Sequence, residues 1–242
     1  MLTTVSALAL ISARPGLAAD LPTRMPVKAA PAPARVFSWT GCYVGGHVGW
    51  GWGRKAFTDT PDGFLLSTLS GSISSVDVDT NGFLGGGQVG CDYQFATNWV
   101  VGVEGQLSWA DISGSAAFPN DAAELSTFHA KTDWLASATA RLGYAWDPRW
   151  LVYAKGGAAW AHDKYTVDYL GTWAASETRS GWTVGGGLEY MFAPNWSVKA
   201  EYQYYNFGNT TFAAGPPALV GNRFRDDEHT VKVGVNYRFG WH

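Results

Sequence analysis

Period-two alternation of apolar with small or polar residues, recurring in eight separate stretches, constrains this chain more than any other feature. In the first stretch one face carries Thr40, Cys42, Val44, Gly46, Val48, Trp50 and Trp52. The other carries Gly41, Tyr43, Gly45, His47 and Gly49. Successive side chains of a strand point to opposite faces, so this spacing predicts a strand over Phe37–Trp52 with one apolar face. The same spacing predicts strands over Asn81–Phe95, Trp99–Ala110, Lys131–Ala145, Trp150–Ala161, Gly181–Phe192, Trp196–Phe207 and Glu228–Phe239. Their apolar faces hold residues such as Val101, Val103, Leu107 and Trp109, or Val231, Val233, Val235 and Tyr237. The charged residues fall on the opposite faces: Asp92, Glu104, Asp133, Arg141, Lys155, Glu189, Lys199, Glu201, Lys232 and Arg238.

The connections alternate in length. Tight ones lie at Phe95–Trp99, Trp146–Trp150 and Phe192–Trp196, while long ones are expected near 53–80, 111–130, 162–180 and 208–227. GGGQVGCDYQFATNW and GGGLEYMFAPNW are one hairpin element used twice. Composition says which face meets what. Aromatics make up 15 % of the chain, with 13 Trp, yet charged residues make up only 15 %, against about 25 % in soluble domains. Beyond the N-terminus no stretch approaches the ~20 apolar residues of a membrane helix. A soluble barrel would turn apolar residues inward and charges outward. Here the pattern is reversed, as in a barrel that faces lipid. The expected fold is all-β: an eight-stranded antiparallel up-and-down transmembrane β-barrel over residues 37–242. Trp99, Trp150 and Trp196 would form a periplasmic aromatic girdle.

Residues 1–19 read as an export signal, with an apolar core at Val5–Ala13 and small residues Gly16, Ala18 and Ala19 before the cut. Residues 20–36, rich in Pro and Ala, read as an extended periplasmic linker. The net charge of -3 argues against a nucleic-acid partner.

Trp39-Thr40-Gly41-Cys42-Tyr43-Val44-Gly45-Gly46, Gly85-Gly86-Gly87-Gln88-Val89-Gly90 and Val233-Gly234-Val235-Asn236-Tyr237-Arg238-Phe239 give the chain a resemblance. From about residue 36 onward it resembles the small outer-membrane barrels of the outer membrane immunogenic or porin family, related to the OmpA transmembrane domain. Cys42 and Cys91 depart from that pattern, standing where the family usually looks aromatic. The terminal Phe239-Gly240-Trp241-His242 departs from the terminal aromatic that assembly machinery usually recognises. The resemblance implies the outer membrane as location, with outer-membrane lipid, lipopolysaccharide and the barrel-assembly machinery as partners. Some relatives are reported to bind haemin, which implies a surface haem site as an alternative.

The residues themselves offer little chemistry. Gly85-x-Gly87-x-x-Gly90 spells a dinucleotide fingerprint, but strand rather than helix follows it, so no cofactor is expected. No His pair has metal-ligand spacing, and no metal site is expected. His162 and Asp163 are adjacent and would point to opposite faces, so no catalytic residues are assigned and the chain is not expected to be an enzyme. Glu104, Arg141, Lys155, Glu189, Lys199, Glu201, Lys232 and Arg238 would share one narrow lumen. Unpaired buried charges are costly, so they should pair and plug it. Cys42 and Cys91 fall on the outward faces of neighbouring strands. They either form a cross-strand disulfide, if the register brings them opposite, or remain two small lipid-facing residues. The long loops carry Asp59, Asp62, Asp77, Asp79, Asp121, Glu124, Asp226 and Asp227. The expectation is a monomeric, non-enzymatic barrel serving envelope integrity and acting as a surface antigen. The alternatives are a surface ligand-binding protein, for haem or a host surface, and a narrow channel.

Overall fold

A computed structural model describes residues 37–58, 75–119, 125–168, 172–211 and 223–239. The predicted signal and linker, and the acids Asp59, Asp62, Asp121 and Glu124, lie outside the described residues. Eight strands form one closed barrel: β1 Gly41–Thr58, β2 Ser75–Phe95, β3 Trp99–Pro119, β4 Leu125–Asp147, β5 Trp150–Asp168, β6 Thr172–Ala193, β7 Trp196–Thr211 and β8 Arg223–Phe239. Each pairs antiparallel with its sequence neighbour. The sheet closes through β1 and β8, from Cys42↔Phe239 to Thr58↔Arg223. Closure leaves no unpaired edge, so the backbone groups of the sheet are satisfied within it, as lipid requires.

The tight turns cluster at one end. Ala96 and Thr97, in the three-residue loop between the paired Phe95 and Trp99, both take left-handed φ values, 47° and 64°. Trp99, Trp150 and Trp196 sit at this turn end on the outer surface. Each packs on an aromatic of the next strand: Trp99 on Tyr144 at 5.3 Å, Trp150 on Tyr190 at 4.5 Å and Trp196 on Tyr237 at 5.1 Å. A second aromatic ring, with Trp50, Trp52, Trp109, Trp160 and Trp182 exposed and Trp134 half-buried, lies toward the far end. Between the rings the outward positions are apolar or small, over the ~9–11 residues a tilted strand needs to cross hydrocarbon.

The strands run well past the expected boundaries. The sequence places loops at 53–80, 111–130, 162–180 and 208–227, but β1 continues to Thr58, β3 to Pro119, β5 to Asp168 and β7 to Thr211, with their partners matching. Asp77 and Asp79 therefore belong to β2, and Asp226 and Asp227 to β8. The reason is a loss of contrast. Above the far Trp ring the outward face is polar (Arg54, Asp79, Asp111, Lys131, Lys164) and the inward face is charged as well (Lys55, Asp163, Arg179, Asp226). Alternation persists there without a change in polarity to reveal it. Asp133 also differs from expectation. The register shifts between Thr132 and Trp134, a bulge that keeps Thr132 inward. Asp133 is left half-buried, paired with the largely exposed Lys164 at 2.6 Å instead of joining the lumen.

Candidate functional site

The lumen is built in layers, and alternation decides what enters each. At the turn end lies an apolar floor of Trp39, Val100, Ala145, Leu151 and Met191. Trp39 precedes β1 and is fully buried. No strand pattern identifies it as a plug.

Above the floor sits the first charged layer. Arg141 holds Asp92 bidentately, with Nε to Oδ1 at 2.8 Å and Nη2 to Oδ2 at 2.6 Å, and reaches Glu189 at 3.1 Å. Arg238 Nη1 donates to Asp92 at 2.9 Å and to the Trp39 carbonyl at 2.8 Å. Bidentate pairs of this kind fix geometry as well as charge. The Arg141 guanidinium also lies against the Tyr43 and Tyr153 rings, 5.2 and 4.8 Å from their centroids.

The next layer is an interleaved cage. Lys155 Nζ donates to Glu104 at 2.9 Å and Glu201 at 2.8 Å. Lys199 Nζ donates to the same two acids at 2.9 and 3.3 Å. Lys232 lies 3.4 Å from Glu201 and donates to Gln106 and Gln203 at 2.7 and 2.6 Å. Tyr43 and Tyr153 donate to Glu104 and Glu201, each at 2.8 Å. Long side chains fit because glycine faces them across the strand pairs: Glu104↔Gly90, Arg141↔Gly102, Lys155↔Gly185, Glu201↔Gly187 and Lys199↔Gly234. All eight charges assigned to the lumen from sequence lie in these two layers, each 3 % exposed or less. Asp92, inward by the same alternation, joins them.

A second apolar layer follows, with Leu84, Ile112, Leu135, Ala159, Ala161, Tyr205 and Phe207. Beyond it lies a charged cluster that the sequence does not announce. Lys55 Nζ stands 2.7 Å from Asp163, 3.2 Å from Asp226 and 3.8 Å from Glu228. Arg179 lies 3.3 Å from Asp226, and the Thr132 hydroxyl touches Asp163 and Glu228 at 2.6 and 2.9 Å. Asp163, Asp226 and Glu228 bring their oxygens within 4.8 Å of one another, close enough to hold a metal ion. The Lys55 ammonium already takes the cation's place among them. Across the whole lumen the buried charges of the described residues comprise seven bases and seven acids.

The remaining candidates are dispersed. Cys42 and Cys91 are register partners on β1 and β2, and their sulfurs are bonded at 2.07 Å. His47 is buried against Gln88 and, at 2.7 Å, Ser108. His129 is exposed on β4, His162 on β5 stacks on Trp134, and His229 on β8 stacks on Trp52. The surface histidines thus stand on separate walls. His162 turns outward while Asp163 is fully buried inward. Ser180 is exposed on β6. Gly85, Gly87 and Gly90 lie inside strand β2.

A closed antiparallel sheet that is apolar outside, charged inside and ringed by Trp at both ends defines an integral β-barrel of the outer membrane. Residues 25–239 match the outer membrane protein beta-barrel domain family, and the chain belongs to it. It is 32 % identical over 244 residues to the 31 kDa outer-membrane immunogenic protein of Brucella melitensis, covering 97 % of this chain and 98 % of that one. It is 32 % identical to the 25 kDa outer-membrane immunogenic protein of Brucella abortus over 223 residues, covering 90 % and 85 %. The crystal structure of the outer membrane protease OmpT from Escherichia coli aligns with 82 % of this chain and 97 % of that one, with a TM-score of 0.52 at 8 % identity; that likeness concerns the fold alone.

Proposed function

We propose that this outer-membrane barrel is a non-catalytic structural component of the envelope and a surface antigen. Its lumen is closed by its own side chains, and it works as a monomer held by outer-leaflet lipopolysaccharide after delivery by the barrel-assembly machinery. One observation carries the reading: three charged layers and two apolar layers occupy the lumen from the turn end to the far rim, with as many buried bases as acids among the described residues. An eight-stranded barrel is just wide enough for its own side chains. Opening a path through this one would strip partners from charges already removed from water, which costs several kcal/mol for each charge left alone. The outward His162 and inward Asp163 offer no shared site for catalysis.

Planar-bilayer recording of the purified, refolded protein tests the closed lumen. The expected trace is flat apart from rare, brief openings. Large, stable steps of porin size would replace this reading with that of a channel.

A further inference from the structure

Just beyond the far Trp ring, β3, β4 and β5 form a polar cleft of about 460 Å³ on the outer surface. Two rows of side chains line it. Register places Ser113, Lys131 and Lys164 side by side, with Ser115, His129 and Thr166 beside one another in the next row. Lys131 and Lys164 are direct cross-strand partners. Like charges directly opposite each other in an antiparallel pair are destabilising. Inside the barrel the comparable pair Arg141↔Lys155 has Glu104, Glu189 and Glu201 around it. Outside, Lys131 leans toward Asp111 at 2.7 Å and Lys164 toward Asp133 at 2.6 Å. Both lysines and Asp111 are roughly half or more exposed, and such surface pairs contribute little. Elsewhere on this rim Arg54 faces Asp79 on one side and Asp227 on the other, so its charges already alternate.

We propose that this cleft binds a phosphate of the phosphorylated glycolipid in the outer leaflet, a site that rests on the outer-membrane reading above and names where lipid is held. Lys131 and Lys164 would supply the charge, and His129 with the hydroxyls of Ser113, Ser115 and Thr166 would supply donors. The height of the cleft selects this source. Trp109, Trp134 and Trp160, on the same three strands, mark the interface, and the cleft opens three to six residues beyond them, where lipid head groups lie. A phosphate between the two ammonium groups would also relieve their mutual repulsion.

The test uses the full chain refolded in detergent and titrated with bis-phosphorylated lipid A, dephosphorylated lipid A or inorganic phosphate, with binding read from tryptophan emission. The phosphorylated lipid should bind about tenfold more tightly than the dephosphorylated one, the worth of one charge-assisted hydrogen bond. The double variant Lys131→Gln/Lys164→Gln should lose that advantage while Arg54→Gln keeps it. Retained cold migration on SDS gels shows that each variant is folded. Equal binding of the two lipids, or an unchanged advantage in the double variant, overturns the site. Inorganic phosphate binding as tightly as the phosphorylated lipid overturns the lipid as its source. A flat bilayer trace alongside either failure leaves the closed lumen standing.

Discussion

Glu104 accepts from Lys155, Lys199 and Tyr43 at once, so neutralising it strands two ammonium groups in the lumen with Glu201 as their shared acid. Glu104→Gln is expected to lower unfolding free energy in urea by about 3–5 kcal/mol, the cost of breaking a buried ion pair from one side. Replacing Arg54, on the exposed rim, should cost under about 1 kcal/mol in the same measurement. At this scale the sequence is informative wherever polarity differs between faces. Glu104 sits between Val103 and Gly105, and Lys199 between Val198 and Ala200, so their inward direction can be read without a structure. Lys55 and Arg179 cannot be placed that way, because Arg54 beside the one and Ser180 beside the other are polar too. Trp39 escapes for a different reason: it precedes the strand, and only its packing on Val100, Ala145, Leu151 and Met191 at the floor of the lumen buries it.

Hairpins are the elements that carry the register. On β1–β2 the Cys42–Cys91 bridge closes a segment with a sequence separation of 49. Thiol labelling of denatured, unreduced protein should find no free cysteine, and reduction should release two. Cys42→Ser/Cys91→Ser should lose stability by up to about 4 kcal/mol from the chain-entropy cost of that loop. On β2–β3 the inward Gly86 presses against β3, where an added Cβ would meet the Leu107 carbonyl oxygen well inside contact distance and the Ser108 Cα at 2.7 Å. Backbone cannot step aside there without breaking the ladder. Gly86→Ala is therefore expected to cut the refolded fraction at least severalfold, as read on unboiled SDS gels. The same glycine lies within the stretch that spells a dinucleotide fingerprint. Its part here is close strand packing, and the strand that follows it already told the two apart. Strand number and the three tight turns were legible from alternation and from the Trp residues after each turn. Strand length was not, since both faces become polar beyond the membrane.

For the whole molecule the first expectation is heat-modifiability. The closed sheet should resist cold SDS and migrate fast, then slow once boiling opens it, with the band in the outer-membrane fraction. An unshifted band would contradict closure. The prolonged strands have one more consequence, for what an immune system can see. Above the lipid the protein shows pleated sheet, in which only every second residue faces out: Asp111, Ser113 and Ser115 from one strand beside Lys131 and His129 from the next. An epitope on that collar is a checkerboard drawn from neighbouring strands. A linear peptide copied from either strand would display the hidden residues as readily as the visible ones. Antibodies raised against the native collar should therefore fail on peptide arrays and on boiled blots while still staining intact cells.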